Sequence, residues 1–333
     1  MRQRHPIVST HHCSVPIVLL FVVLACTACV SRKVGAPRLL TPIQDATLAE
    51  LIERVNETRQ MSSLIARIDI QLESEVEAER GQSERYATAV GRLVLAREKK
   101  VYLQIQAPIV KTNFAEFASD GSRFQLLVYP EKYRVMLTGT NDKLYINSKP
   151  AAERDERLRM AGALANIRPQ HFTETLLFDP VVKDKQGDAL LEEFRQVEDA
   201  MLPGSTRRER VIRSYFVLST IKYSPDRGWW LSARFWFDRN HGLSLVRRQI
   251  YVDEGRLVEE VNYSGFWREP RQGMLLPSEI SFSRPYDQYS ARLYLNQSSV
   301  VLNNEVPAAA FVLEKPADWS DDVQVVDLDH AAK

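Results

Sequence analysis

Apolar and polar residues alternate along most of the chain between residues 67 and 295. In the first half, the alternation is cleanest at Arg67–Leu72 and Val101–Ile105, and it predicts β-strands with one buried face. Further strands of this half are predicted at 86–96, 114–118, 124–128, 133–137 and 143–146. Short turns, such as the Asp120-Gly121 pair, separate these strands. We therefore expect an antiparallel meander, because parallel pairs need long crossovers.

The second half of the chain returns to the same alternation. In the stretch 229–237, Leu231, Ala233, Phe235 and Phe237 fall on one face. The predicted strands of this half are 213–223, 229–237, 244–252, 256–266, 276–283 and 291–295. Together the two halves predict an α+β fold that is mostly β: a single large curled antiparallel sheet, or incomplete β-barrel, with lid or core helices.

A curled sheet with apolar residues on its concave side forms a cavity, which must be filled by its own helices or by a ligand. Inward apolar positions in both halves of the chain are candidates for lining it. The predicted cavity residues are Ile68, Ile70, Leu103, Ile105, Phe235 and Phe237.

Helical patterns flank and interrupt the strands. Residues 46–60 predict an amphipathic helix that packs on the sheet, with Asp45 as its N-cap. Residues 153–165 predict another, and Pro169 begins a third that runs to about Phe178. The stretch 189–213 fits a helix or a strand followed by a long loop, so both readings stay open.

The N-terminus has the pattern of an export signal. Arg2 and Arg4 form a basic start, and an apolar stretch follows from Val15 to Leu24. A membrane span needs about 20 apolar residues, which is more than this stretch provides. We therefore predict a signal peptide at residues 1–25.

The signal ends in Val23-Leu24-Ala25-Cys26, which resembles a bacterial lipobox. The resemblance implies cleavage before Cys26 and attachment of a lipid anchor to its thiol, with Cys29 as the reserve position. Ordinary secretion with incidental cysteines and an uncleaved anchor are the alternatives. Residues 26–44 then form a tether, 46–316 a single domain, and 317–333 an acidic, flexible tail.

Composition narrows the classes of function. The chain has 44 Lys+Arg and 43 Asp+Glu, so its net charge of +1 gives no case for nucleic-acid binding. It lacks the glycine-rich phosphate-loop motifs, and its cysteines all lie in the first 29 residues. Histidines such as His171 are isolated, and a capping or surface role is the expectation for His171. We predict no catalytic residue, metal site or cofactor, so the sequence does not support an enzyme.

The order of elements, and motifs such as Val90–Leu95, Ser119–Phe124 and the segment Asn303–Pro307 with Phe311, resemble the lipoprotein-localisation carriers LolA and LolB. The resemblance covers about residues 46–316. It implies a half-barrel that binds acyl chains or lipoproteins on the periplasmic side of the outer membrane.

The same resemblance assigns Ile109 and Val110, in the segment Ala107–Val110, to the tip of a membrane-inserting loop. The alternative is that these two residues only begin the next strand. For the whole protein, the alternative to a carrier is an accessory envelope lipoprotein whose half-barrel is self-filled and docks a protein partner.

Overall fold

The computed structural model describes residues 36–74, 84–85, 88–107, 112–141, 143, 168–182, 187–202, 204–226, 228–252, 255–320 and 323–330. The α-helices in these residues are α1 (Leu48–Asn56) and α2 (Pro169–Leu176), and short 3-10 helices lie at Glu57–Gln60, Glu131–Tyr133, Gln297–Ser299 and Ala308–Phe311. The strands of the N-terminal half are β1 (Arg38–Leu39), β2 (Ser63–Ser74), β3 (Glu84–Arg85), β4 (Ala89–Ala96), β5 (Lys100–Gln106), β6 (Asn113–Asp120), β7 (Arg123–Val128) and β8 (Val135–Thr140). The later strands are β9 (Gly187–Met201), β10 (Arg208–Ser224), β11 (Gly228–Asp238), β12 (Ser244–Val252), β13 (Arg256–Ser264), β14 (Trp267–Arg268), β15 (Leu275–Leu276), β16 (Glu279–Arg284), β17 (Tyr289–Leu295), β18 (Val301–Leu302) and β19 (Val325–Asp327).

The chain divides into two compact units. The first comprises residues 1–38 and 197–211, and its described part includes the end of β9 and the start of β10. The second comprises residues 39–196 and 212–333, and it contains both α-helices and the rest of the strands. The cavities and charged groups described here all belong to the second unit.

Antiparallel pairing joins the strands of the second unit into one sheet in the order β10, β11, β12, β13, β16, β17, β2, β4, β5, β6, β7, β8. We term β2 with β4–β8 the first meander, and β10–β13 with β16 and β17 the second meander. β9 pairs with β10, and the sheet is not closed. The predicted mostly-β fold with a single antiparallel sheet is thereby confirmed.

Helix α2 shows that this sheet is curled. In the first meander, Thr173 Oγ1 donates to Lys100 O of β5 at 3.0 Å. In the second meander, the hydroxyl of Tyr263 in β13 donates to Thr175 O at 2.7 Å. A flat sheet would hold β5 and β13 about 24 Å apart, at ~4.8 Å for each strand pairing. One helix about 10 Å wide reaches both, so the sheet bends around it.

Helix α1 packs on the second meander through Leu51 and Val55, which are 0% and 1% exposed. Its N-cap is Thr47, so the predicted N-cap at Asp45 is wrong. Thr47 and Glu50 form a reciprocal capping box, in which Glu50 Oε2 accepts from Thr47 N at 2.7 Å. Asp45 instead pairs with a buried arginine of the second meander.

In the ambiguous stretch 189–213, the helical reading is wrong: β9 runs on to Met201 and β10 begins at Arg208, so the strand is longer and the loop after it shorter than the alternative reading implied. Leu190 and Phe194, which share a helical spacing, are 51% and 45% exposed on β9. Pairing with β10 supplies the backbone hydrogen bonds that a helix would have made internally. The predicted strand 143–146 lies outside the described residues except for Lys143, and the predicted helix 153–165 lies wholly outside them.

Part of the C-terminal segment packs on the first meander. Strand β19 pairs in parallel with β8, with Val325 opposite Met136. Asp329 forms ion pairs with Lys143 at 3.1 Å and Arg123 at 3.6 Å. These contacts cover the edge of β8, which would otherwise expose unpaired backbone groups.

Candidate functional site

The side chains predicted to line one cavity are divided between two packed clusters. The first meander and α2 contribute to the cluster that contains Ile68, Ile70, Leu103 and Ile105. Phe235 and Phe237 lie in the cluster that includes α1. Each of these two phenylalanines lines a cavity, whereas Ile70, Leu103 and Ile105 line neither of these cavities. A role for the six residues in ligand binding stays a prediction.

The other predicted site residues fall outside the described residues: Cys26, Cys29, Ile109 and Val110. The described residues fix only the ends of the predicted membrane loop, where Ala107 N donates to Thr112 O at 2.9 Å. Lipid attachment and membrane insertion therefore stay predictions.

The first interior cavity, which we term the apolar cavity, has a volume of 400 Å³. Small-molecule sites are about 300–1,000 Å³ and mostly apolar. Large apolar side chains from both helical segments and the second meander line it: Met61, Leu176, Phe178, Phe237, Phe266 and Met274. Exposed polar residues, including Arg54 and Arg268, also border it. Polar atoms contribute slightly more of the exposed lining than apolar atoms do, so the site suits an amphiphile with an apolar part rather than a purely apolar ligand.

An excursion of the chain at residues 265–278 builds one wall of the apolar cavity. It begins at Gly265, with φ +65°, where an added Cβ would lie 2.1 Å from a serine hydroxyl oxygen. The carboxylate of Glu269, a residue only 2% exposed, accepts two backbone N–H groups of the same excursion at 3.0 and 2.6 Å. This internal bonding fixes the loop that carries Phe266 and Met274 to the cavity.

The second interior cavity, which we term the charged cavity, has a volume of 1030 Å³. The β4–β5 turn, α2 with the segment after it, and the second meander form its walls. Its lining holds basic and acidic residues in equal number: Arg97, Lys99, Lys222, Arg248 and Arg284 against Glu98, Glu174, Asp179, Asp188 and Glu259. Phe178 lines both the charged and the apolar cavity, so the two lie on either side of this residue.

A chain of buried ion pairs lies beside the charged cavity. Arg248 pairs with Glu259, which accepts from Arg284 at 2.6 Å, and Arg284 in turn pairs with Asp287 at 2.5 Å. The side chains of Arg248 and Glu259 are only 3% and 2% exposed. Buried charges persist only where such partners compensate for lost hydration. Ion pairs therefore fix the side chains of this cavity wall in position.

Sequence reasoning missed this network, although the strand patterns contain its signal. In β12, Arg248 lies two residues from Ile250 and therefore on the same face of the strand. Likewise, Glu259 shares a face with Val261 in β13, and Arg284 shares a face with Phe282 in β16. Each charge thus occupies an inward, otherwise apolar position. Pairing brings the three strands side by side, β12 with β13 and β13 with β16. Charged residues at inward positions of adjacent strands were therefore the sequence signal for a buried ion-pair network.

Burial perturbs the proton affinity of Glu174, which faces the charged cavity from α2. Desolvation raises the pKa of this carboxyl, and the nearby negative charge of Glu259 raises it further. Lys99, at 3.5 Å, opposes both effects. Perturbed carboxyls in cavities are typical of binding and catalytic sites.

His171 is a core residue, so the predicted capping or surface role is wrong. The residue is 3% exposed, and its Nδ1 forms a hydrogen bond of 2.5 Å with the Tyr289 hydroxyl. Desolvation, together with Arg284 and Arg168, holds the pKa of the imidazole well below its usual value. The ring is therefore neutral and serves as a packed hydrogen-bonding group.

A third concavity, of 670 Å³, is an open groove on the other face of the sheet. Arg67 and Asp69 line it, with parity opposite to that of the buried Ile70. Ile68 also borders it. Val90, Tyr294 and Leu295 also line it, and more of its exposed lining is apolar than polar, so the groove is a further candidate surface for an apolar ligand.

Two further properties concern only the described part of the chain. No group of three or more His, Cys, Asp or Glu side chains there is placed to hold a metal ion. None of the helices there has the length and apolar character needed to cross a membrane.

No protein-family model and no curated protein matches the chain. Solved structures do resemble it. A DUF1329 family protein from Desulfovibrio piger has a TM-score of 0.42 at 12% identity, over 80% of this chain and 95% of that one. A LolA superfamily protein from Nitrosomonas europaea has a TM-score of 0.40 at 11% identity, over 81% and 99%.

A domain described as an outer membrane lipoprotein-sorting protein, from Vibrio parahaemolyticus, has a TM-score of 0.39 at 11% identity, over 80% of this chain and 97% of that one. The neighbours thus include the LolA superfamily, which the sequence resembles. TM-scores below 0.5 are too low for a function to be transferred from these proteins.

Proposed function

We propose that this chain is a lipid-anchored envelope protein that faces the periplasm and binds the acyl chains of lipids or lipoproteins. Its ligand lies in the apolar cavity, and it acts as a carrier without catalysing a reaction. The anchor is attached at Cys26, with Cys29 in reserve, and the protein stays on the periplasmic side of the outer membrane. There it serves the localisation or insertion of lipoproteins.

The apolar cavity is the observation that supports this function. Phenylalanine, leucine and methionine side chains line its 400 Å³, together with exposed polar residues and the buried Thr175, Ser244 and Tyr263. Burial of each CH₂ group contributes about 0.8 kcal/mol, so a chain of methylenes can be held by burial alone. A lipid bilayer offers similar burial, so exchange between the two needs no chemical step.

The alternative is a scaffold that docks a protein partner. Two observations favour it: the interior of the first meander is filled by its own side chains, and apolar residues such as Trp229 and Leu190 are 59% and 51% exposed. The vacant apolar cavity favours the carrier, because a self-filled scaffold needs no such space.

Native mass spectrometry of the full chain, purified from the envelope of a bacterial host and freed of detergent, tests the proposal. We expect a bound species, released on unfolding, with the mass of a phospholipid or acylated peptide. Met274→Glu places a carboxylate against the apolar cavity and should lower the bound fraction at least tenfold. Leu190→Glu is the control, because Leu190 is exposed on β9 and should leave binding unchanged.

A ligand-free mass together with no uptake of an added acyl probe would contradict the carrier and favour the scaffold. The same spectra report the N-terminus. A chain that starts at Cys26 and carries acyl groups is the expected form. An intact, unmodified N-terminus would contradict the lipid anchor, whatever the outcome for the cavity.

A further inference from the structure

The charged cavity contains a cationic donor with unused bonding capacity. Arg248 lines this cavity, and its side chain is 3% exposed. Its Nη2 donates to Glu259, whereas its Nε has no hydrogen-bond partner among the described residues. Buried polar groups are normally satisfied, and an orphan N–H on a charged side chain is unfavourable. An acceptor oxygen of a ligand would supply the hydrogen-bond partner that the Nε of Arg248 lacks.

Arg239 shows how the same kind of arginine is satisfied when no cavity is present. It is also buried, and its Nη1 donates to Glu193 at 2.6 Å. It stacks on Phe216 at 4.1 Å, as Arg248 stacks on Phe178 at 4.8 Å. Its Nε, however, donates to the backbone oxygen of Gln44 at 2.9 Å. The Nε of Arg234, which lines neither cavity, also lacks a partner, so what distinguishes Arg248 is that it combines an unpartnered Nε with a place in the lining of the charged cavity.

Phe178 links this arginine to the proposed acyl site. One ring contacts the guanidinium of Arg248 and lines both cavities. The cationic group and the apolar cavity are thus separated by a single side chain. An amphiphile whose acyl chain fills the apolar cavity would place its polar end near Arg248.

We propose that the charged cavity binds the anionic head group of the ligand, with Arg248 Nε as a donor to a phosphate or carboxylate oxygen. This inference rests on the proposed function, since the acyl part must occupy the apolar cavity. Charge-assisted bonds from arginine to such oxygens are among the stronger ones in proteins. Lys99, half exposed on the β4–β5 turn, adds positive charge at the border of the same cavity.

Two probes with the same acyl chain separate the head group from the tail. Lauroyl lysophosphatidylglycerol carries a phosphodiester, and monolauroylglycerol is its neutral counterpart. Using the full chain below the micellar concentration of each probe, we expect about tenfold tighter binding of the phosphodiester probe. Equal affinity for both would overturn the head-group site and leave the acyl site standing. Binding of neither would overturn the proposed function, and the head-group site with it.

Arg248→Met should abolish the preference for the phosphodiester while the affinity for monolauroylglycerol stays unchanged. This variant leaves Glu259 with its remaining partner Arg284, so the carboxylate is not stranded. Arg239→Met is the matched control, because it removes a buried, ring-stacked arginine that lines neither cavity. A preference that survives in Arg248→Met, or is lost equally in Arg239→Met, would contradict the assignment.

A measurement on the unaltered chain covers the case in which Arg248→Met does not fold. A lysophosphatidylglycerol with a photoreactive group on its glycerol head should label residues of the charged cavity, such as Tyr251 and Trp230. The same lipid with the group at the end of its acyl chain should label Met61 or Met274 in the apolar cavity. The reverse pattern, or labelling confined to one cavity by both probes, would overturn the proposed orientation.

Discussion

The two meanders use the same alternation of residues but build different interiors. In the first meander, inward residues such as Leu103, Phe117 and Leu126 are at most 1% exposed, in a continuous apolar cluster. In the second meander, inward positions include Arg248 and Glu259, which line the charged cavity, and Phe237, which lines the apolar cavity. The inner face of the first meander is a packed core, whereas the inner face of the second meander adjoins unfilled volume and carries buried charges.

The difference shows that strand periodicity sets which side chains point inward but not what they do there. An inward leucine is stabilised by contact alone. An inward arginine needs a partner of opposite charge, and its partners come from neighbouring strands. Beside these partners, the rings of Phe178 and Phe235 contact each other, with their centroids 6.0 Å apart. Packing thus stabilises the first meander, whereas the second adjoins space that its own side chains do not fill.

The largest expected effect is on packing in the first meander. Phe117→Ala should lower the free energy of unfolding by about 4 kcal/mol, because the site is fully enclosed and cannot collapse. Phe178→Ala, beside two existing cavities, should cost only about 2 kcal/mol, since fewer contacts are lost. Urea denaturation followed by circular dichroism measures both. Equal decreases in the free energy of unfolding would contradict the difference in packing between the two meanders.

A smaller loss is expected when the buried charge network is broken. Glu259→Leu leaves Arg248 and Arg284 without their shared carboxylate and should destabilise the fold by about 3 kcal/mol. The double variant with Arg248→Met should recover part of this loss, because it removes the one arginine that is left without a paired carboxylate, whereas Arg284 keeps Asp287. Thermal denaturation of the two variants side by side tests the coupling. Additive losses would mean that the two residues act independently.

The smallest expected effect is a pH dependence confined to the charged cavity. Burial and Glu259 raise the pKa of Glu174, against the opposing charges of Lys99, Arg284 and Arg248. As the pH falls through this raised pKa, Glu174 loses its negative charge, so affinity for lysophosphatidylglycerol should rise. The phosphodiester itself stays anionic in this range.

Isothermal titration calorimetry at pH values above and below the raised pKa of Glu174 measures the change in affinity. Glu174→Gln should remove most of the pH dependence of the affinity for lysophosphatidylglycerol. The affinity for the neutral monolauroylglycerol should not depend on pH in either protein. An affinity for the anionic probe that falls towards acid pH would contradict the assignment of Glu174.

Strands were predictable where local pattern and turn chemistry agreed. The alternation at 101–105 gave β5 to within one residue at each end, and Asp120 marks the turn between β6 and β7. The stretch after residue 188 was not decided, because Leu190 and Phe194 suit either period. The N-cap was misplaced because Asp45 and Thr47 are both good capping residues, and only contact with Arg239 separates their roles.

The candidate site was the least predictable part. Met61, Phe178 and Met274 meet at one cavity although more than 90 residues separate each from the next along the chain. No local pattern marks such a meeting. Phe235 and Phe237 could be predicted as inward-facing because the alternation of apolar residues is local, but their role in binding a ligand stays a prediction.

The sequence by itself determined the strand alternation, the antiparallel connections and the predominance of β-structure, because these depend on residues close together in the chain. The tertiary structure decided where the interior is full and where it is vacant. It also decided that Arg248, Glu259 and Arg284 are partners and that His171 is buried. These outcomes depend on how far the sheet curls around α2, and curling is a property of the paired strands together rather than of any single segment.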